Sequence, residues 1–188
     1  YVLYSLSQEQ LSHTMFPLGS MHKSETRTIA EAHGFISAKR KESQDICFIP
    51  DGDYASFIER YTGKKIASGN FVDMDGNVLG IHRGIIHYTV GQRKGLGLAL
   101  KHPMYVQYID VDNNEVVLGS NEDLFKRELT AHNFNWVSIA CPDAPFRAKA
   151  RIRYKHKEAP ATITPLSETE VKIVFDEPQR AITKGQSV

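Results

Sequence analysis

The spacing of apolar residues along the chain changes from a helical to a strand-like period. In the first third, apolar side chains recur three or four positions apart, as in Leu11 and Met15 or in Phe57, Ile58 and Tyr61. Further along, apolar and polar residues alternate in short runs. The first spacing places side chains on one face of a helix, whereas alternation places them on one face of a strand. The pattern therefore predicts a short helical region followed by β-structure.

Capping residues mark the predicted helix ends. Ser7 is followed three positions later by Gln10, which is the arrangement of a capping box, and Asp53 precedes the apolar positions of a later helix. Gly34 follows the second helix, where glycine commonly ends a helix. Two short helices bury little apolar surface by themselves. We therefore interpret residues 1–40 as the tail of a preceding domain.

Short strands separated by turn residues account for the rest of the chain. The pair Asp75-Gly76 lies between two apolar runs and predicts a β-hairpin. Six further short strands predict a small barrel, whose last strand would begin near Gln186. These six are residues 105–111, 115–118, 129–137, 146–154, 159–164 and 171–176. The expected fold class is mixed α+β: a helical remnant, a small α+β central domain, and an incomplete all-β barrel.

Composition narrows the class of protein. The 188 residues are 41% hydrophobic and 24% charged, as in a globular protein. No apolar run reaches the roughly 18 to 20 residues that cross a bilayer, and the first residues lack the blocks of a signal peptide. The two cysteines, Cys47 and Cys141, are too few for a disulfide scaffold. We expect a reducing compartment, the cytoplasm, and no membrane partner.

The formal net charge is only +1, but the cations are concentrated near residue 150. Every odd position of this segment is cationic: Arg147, Lys149, Arg151, Arg153, Lys155 and Lys157. On a strand these side chains would project from one face about 6.6 Å apart, close to the spacing of phosphates along an extended nucleic-acid backbone. The segment predicts either a phosphate-binding track for RNA or the solvated face of a barrel strand.

Cys47 is the candidate for covalent chemistry. It lies between Ile46 and Phe48, in a short apolar run that ends at a turn. A buried cysteine of this kind is often an inert core residue. The position before a turn, and the cations Lys39-Arg40-Lys41 upstream, instead favour an accessible thiolate. Both interpretations of Cys47 stay open at this point.

A glycine-rich stretch between residues 91 and 97 carries two cations, Arg93 and Lys94. It matches neither the Walker phosphate loop nor the G-x-G-x-x-G pattern. Glycine lets main-chain N–H groups come close to phosphate, so the stretch predicts either an RNA contact or a turn-rich connector.

No metal site is predicted. Asp73, Asp75 and Asn77 have a calcium-loop spacing, but the glycine and the final glutamate of such a loop are not at the required positions. His82 and His87 are five residues apart without a further cysteine or histidine beside them, which is a poor ligand spacing.

Six sequence strings resemble one known family in the order in which they occur. They are SQDICFI at 43–49, GNFV at 69–72, GIHRG at 80–84, YTVGQRKGLG at 88–97, RIRY at 151–154 and RAITKGQS at 180–187. Together they resemble the bacterial tRNA-specific 2-thiouridylases, which place sulfur on C2 of the wobble uridine of tRNA. The resemblance implies that Cys47 bears a persulfide and that Arg153, Tyr154 and Gln186 contact tRNA.

The resemblance also implies partners, cofactors and domains. The expected partners are tRNAs for lysine, glutamate and glutamine and a sulfur-donor protein, such as a cysteine desulfurase or a sulfur carrier. ATP with magnesium would be bound upstream of this chain, so the chain alone should be inactive. Residues 1–49 would be the remnant of an ATP-pyrophosphatase domain, 50–102 a central domain, and 103–188 a truncated β-barrel. Since the chain starts at Tyr1 and ends in a predicted strand, we expect it to be part of a longer protein.

Two other functions are compatible with the residues. One is a non-catalytic RNA-binding β-barrel module in which Cys47 is structural. The other is a thiol redox protein, although the sequence has no C-x-x-C pair. Cys141, which precedes Pro142, matches none of the six strings and is expected to be structural or incidental.

Overall fold

A computed structural model describes residues 2–39, 49 and 52–188. The chain forms two compact units, one of residues Leu6–Thr62 and one of Tyr1–Ser5 together with Gly63–Val188. No helix in the described ranges combines the length and apolar character that a membrane span requires.

The described residues of the first unit form helices and turns. It contains α1 (Gln8–Ser12), α2 (Lys23–Ala32), a 3₁₀ turn at Ile36–Lys39, and α3 (Tyr54–Thr62). The predicted capping box is confirmed, because Ser7 Oγ accepts from the Gln10 amide at 3.2 Å while the Gln10 side chain accepts from the Ser7 amide at 2.9 Å. The Asp53 cap is also confirmed, since its carboxylate accepts from the Ser56 amide at 3.1 Å. Among the described side chains of α1 and α2, none is buried.

The second unit contains two antiparallel-rich sheets, of which the first has strand order β2-β1-β4-β3. Its strands are β1 (Gly69–Val72), β2 (Val78–His82), β3 (Tyr105–Asp110) and β4 (Glu115–Gly119). The predicted hairpin at Asp75-Gly76 is confirmed, because β1 and β2 pair antiparallel on either side of it. Strands β1 and β4 pair in parallel. Phe71, Val106, Val116 and Leu118 form the centre of the core on this sheet.

The second sheet has order β5-β8-β7-β6 and is antiparallel throughout. Its strands are β5 (Phe125–His132), β6 (Phe146–Ala150), β7 (Ala159–Ser167) and β8 (Glu170–Arg180). Alternate residues of β8, namely Val171, Ile173 and Phe175, are buried and pack against Ala161 and Ile163 of β7. This period-two burial is what the alternating sequence pattern predicts.

The mixed fold class is confirmed, with few helices and two sheets, but the described residues contain no closed barrel. The six strands assigned to one barrel are divided between the two sheets. Strand β4 joins the first sheet because Phe71 and Val116 lie in register and share its core. The domain limit between residues 102 and 103 stays a prediction. Strand β1, which precedes this limit, pairs with β4, which follows it.

The strand predicted for residues 146–154 ends at Ala150. Beyond it the chain turns: Arg151 Nη1 donates to the Tyr154 carbonyl at 3.3 Å, and the His156 amide donates to the Arg153 carbonyl at 3.0 Å. Ile152 is buried in the second core and fixes the turn to the sheet. The prediction that six cations share one strand face is therefore wrong beyond residue 149.

Candidate nucleic-acid interface

Arg153 is held inside the second unit. Its Nη2 donates to the Ala181 carbonyl at 2.9 Å, to the Val90 carbonyl at 3.3 Å and to the Thr183 hydroxyl. Its Nε is buried and has no hydrogen-bond partner in the described part of the chain. One guanidinium thus joins the turn after β6, the loop before Gly91 and the segment that follows β8.

The segment after β8 is fixed by further contacts. Ala181 is buried, has a φ of +59°, and donates its amide to the Leu124 carbonyl at 2.9 Å. Gly91, with a φ of +86°, approaches so closely that a Cβ atom there would lie 3.1 Å from the Ala181 Cβ. Both residues adopt a left-handed conformation that favours glycine. The close approach positions Ala181, at the start of the segment that leads to Gln186, against the loop that contains Gly91.

Arg180 makes a second connection between the two sheets. Its Nε donates to Asn121 Oδ1 at 3.0 Å, and its guanidinium lies 5.4 Å from the centre of the Tyr105 ring. This is the geometry of a cation–π contact. The end of β8 is therefore anchored both to Tyr105 of β3 and to the connection before β5.

Tyr154 points in a different direction from its neighbour. It lies in the turn after β6 and exposes 65% of its surface, whereas Arg153 is directed inwards. Gln186 is also exposed. Adjacent residues on a strand would face opposite sides of the sheet, but here the pair lies past the strand end. The structure therefore offers an exposed aromatic ring and an exposed amide on segments that Arg153 connects.

Two of the other basic residues are bound to carboxylates. Arg147 Nη1 donates to Asp176 Oδ1 at 2.7 Å, and Arg151 Nη2 donates to Glu158 Oε1 at 2.9 Å. The hydrogen bond between Arg147 and Asp176 raises the pKa of the guanidinium and lowers the pKa of the carboxyl. The exposed lysines of the segment form no ion pair with any described residue: Lys149, Lys155 and Lys157. A continuous six-cation track is thus not present.

The glycine-rich stretch forms an ordered loop beside an open groove. Gln92 organises it: its side-chain oxygen accepts from the Thr89 amide at 3.0 Å and its side-chain nitrogen donates to the Lys94 carbonyl at 3.0 Å. The loop is held to β3, since the Gly91 amide donates to the Val106 carbonyl at 2.8 Å. The groove is lined by Arg93 and residues 95–104 and has a volume of about 530 Å³.

The polar residues considered as metal ligands serve the fold instead. His82 is 1% exposed; its Nε2 contacts the Asn114 carbonyl at 3.1 Å while its Nδ1 accepts from the Gly84 amide at 3.0 Å. The Asp73 carboxylate accepts from the side chain and the amide of Asn77 and from the Asp75 amide, and these bonds lower its pKa. No cluster of three potential ligands occurs among the described residues.

The structure describes Cys141 but not Cys47. Cys47 lies outside the described residues, as do Arg40 and Lys41 upstream of it. Cys141 is half-buried, and its Sγ lies 3.8 Å from both the Pro142 and the Ser167 carbonyl oxygens. These are weak contacts, in agreement with a structural thiol.

Comparison with known proteins covers nearly the whole chain. Three family models match: a tRNA methyl transferase HUP domain at residues 1–51, a tRNA methyl transferase PRC-barrel domain at 55–120, and an aminomethyltransferase β-barrel domain at 126–188. All 188 residues align with the tRNA-specific 2-thiouridylase MnmA of Acetivibrio thermocellus at 54% identity and with that of Clostridioides difficile at 52%. The chain belongs to the tRNA-specific 2-thiouridylase family. It spans about half the length of these relatives, 52% of each.

Within this chain, the matched regions follow the two sheets. The match at 55–120 contains all of β1 to β4, and the match at 126–188 contains β6 to β8 and nearly all of β5. The sequence resemblance is therefore confirmed at the level of the family.

The partners of Arg153 were not predicted from the sequence. Val90 and Thr183 lie in two of the strings that carry the family resemblance, yet nothing in the sequence indicates that one arginine joins them. The sequence feature that could have indicated this contact is the presence of glycine in both of these strings. Gly91 is needed because any side chain there would press on Ala181.

Proposed function

We propose that this chain is part of a tRNA-uridine 2-sulfurtransferase that replaces the C2 oxygen of the wobble uridine, U34, with sulfur. The observation that carries the proposal is 54% identity across all 188 residues to a protein named for this activity. The exposed Tyr154 and the cations of the second unit supply the kind of surface that binds RNA.

In this proposal Cys47 carries the transferred sulfur. Its thiolate attacks the outer sulfur of a persulfide on a donor protein, which forms a Cys47 persulfide and releases the donor's thiolate. ATP, when bound with magnesium by the full-length enzyme, supplies the adenylation that converts the uridine oxygen into a leaving group. The donor would be a cysteine desulfurase or a sulfur carrier, and the reaction would take place in the cytoplasm.

Tyr154, Gln186 and Arg153 would contact tRNA in complementary ways. The exposed Tyr154 ring is suited to stacking on a base or ribose, and the exposed Gln186 amide is suited to a base or sugar edge. Arg153 would add positive charge while its Nη2 bonds hold the segment that leads to Gln186. The substrates proposed are the tRNAs for lysine, glutamate and glutamine.

The catalytic role is tested by Cys47→Ser in the full-length enzyme. We expect complete loss of 2-thiouridine with unchanged tRNA affinity, because a hydroxyl cannot carry sulfane sulfur. Thiolation is read by mass spectrometry of tRNA nucleosides, and binding by filter retention. Cys141→Ser is the matched control and should keep both activities. Retention of 2-thiouridine in Cys47→Ser would refute the assignment.

The reactivity of Cys47 distinguishes the proposed enzyme from the alternative, a non-catalytic RNA-binding module. A Cys47 that takes up labelled sulfur from a persulfide donor supports the enzyme. A Cys47 that reacts only after denaturation, in a protein that still binds tRNA, supports the binding module. The chain of 188 residues alone should bind tRNA weakly and produce no thiouridine.

A further inference from the structure

The region around the glycine-rich loop has an unusual charge distribution. Between Asp75 and Asp110 the sequence contains no aspartate or glutamate. The same region contains four exposed arginine and lysine residues: Arg83, Arg93, Lys94 and Lys101. None of these four forms an ion pair with a described residue. Among the described residues these four cations thus lack the carboxylate partners that Arg147 and Arg151 have.

One wall of the groove beside the loop is formed by leucines that are held by the core of the first sheet. Leu96 is buried in the core of the first sheet, and Leu98 and Leu100 pack against that core. Leu98 covers β2 so closely that a Cβ at Gly80 would lie 2.4 Å from its Cδ2. The positions between these leucines, Gly97 and Ala99, are exposed, and so is Lys101.

The chemistry of this wall selects an anionic and extended ligand. Arg93 and Lys101 lie towards the two ends of the lining segment, and Arg presents a fork of donors that matches phosphate oxygens. The outward position between them at Gly97 has no heavy atom within 4 Å of where a Cβ would lie, so the main chain there is accessible. None of the described residues that line the groove has an acidic side chain that would repel a phosphate.

We propose that the groove lined by Arg93 and residues 95–104 is a second tRNA contact surface, which binds the sugar–phosphate backbone through Arg93 and Lys101. The inference rests on the proposed function and extends it, since none of the residues that line the groove belongs to the turn that carries Tyr154. Phosphate contacts fix position without reading sequence. The groove therefore contributes affinity to every tRNA equally, and the choice among tRNAs is made elsewhere.

The test is the double variant Arg93→Gln/Lys101→Gln in the full-length enzyme. Loss of two phosphate contacts should make the plot of log Kd against log salt concentration shallower by about 1.5, and should weaken binding to different tRNAs by the same factor. The control is Lys126→Gln/Arg127→Gln, which removes the same charges from exposed positions on β5, at the sheet edge opposite β6. The control should leave the slope unchanged.

Three outcomes contradict the inference. An unchanged slope and affinity would show that the groove does not contact tRNA. Unchanged tRNA binding with a thiolation defect that excess sulfur donor rescues would instead identify the groove as a surface for that protein. An equal change of slope in the control would show a non-specific effect of net charge. Failure of the proposed function would give a different result from these three outcomes, because the unsubstituted enzyme would then make no 2-thiouridine.

Discussion

At the scale of single residues, three arginines close together in sequence have three different environments. Arg147 pairs with a carboxylate across the sheet, Arg151 pairs with Glu158 near its own turn, and Arg153 is directed into the protein. Their side chains are chemically identical, so only the neighbours decide which charge remains available. Exposed ion pairs contribute little to stability, whereas a partly buried guanidinium with three acceptors organises the chain around it.

Arg153→Met tests this organising role. The substitution removes the donor to the Val90 carbonyl and one of the two donors to the Ala181 carbonyl, which keeps the Thr183 hydroxyl, so we expect the free energy of unfolding to fall by about 2 kcal/mol. Amides of residues 181–186 should exchange hydrogen faster, as measured by mass spectrometry without tRNA. Arg153→Lys should restore part of the protection. Arg151→Met, on the same turn, is the control and should not change exchange at 181–186.

At the scale of elements, the loops between strands carry more of the site than the strands do. The loop that begins near Thr89 is fixed by the Gln92 side chain and by pairing with Val106. Strand β6 contributes by ending early, because the turn at its end directs Arg153 inwards and exposes Tyr154. Loops held by side-chain bonds and glycine conformations can present functional groups with precision.

Gly91→Ala tests how tightly the loop and the segment after β8 fit. An alanine would adopt a φ of +86° and would press on Ala181 at 3.1 Å, so we expect a loss of about 2 kcal/mol in unfolding free energy. Gly97→Ala is a matched control, since its φ of +73° imposes similar backbone strain in open space. Urea unfolding measures both variants. Equal losses would show that packing against Ala181 is not significant.

At the scale of the whole molecule, stability should depend on several ionised aspartates. Hydrogen bonds from Asn77, Asn113 and Arg147 lower the pKa of Asp73, Asp110 and Asp176 respectively. Folding therefore favours the ionised form of each. The stability that they contribute is present above the unfolded aspartate pKa, about 3.9, and is lost as the pH falls through the lower folded values.

The pH dependence can be measured directly by urea unfolding between neutral pH and about pH 3. We expect the free energy of unfolding to fall as the solution becomes acidic, because the unfolded chain takes up more protons than the folded one. Asp73→Asn keeps an acceptor for the turn but removes the titration, so this variant should show a smaller fall. Asp143→Asn is the control, since Asp143 accepts no hydrogen bond from a described residue. An identical pH profile for Asp73→Asn and the unsubstituted protein would contradict the assignment.

The sequence by itself determined the local elements and the family. Capping residues such as Ser7, the hairpin at Asp75-Gly76 and the alternating strands depend on neighbours a few residues away, so their signals are present in short stretches of sequence. The tertiary structure decided which strands share a sheet, and which cations stay exposed. Parallel pairing of β1 with β4 and the bonds from Arg153 to Val90 and Ala181 join residues far apart in the chain. Neither periodicity nor charge spacing encodes such contacts, because both describe a segment before it meets its partners.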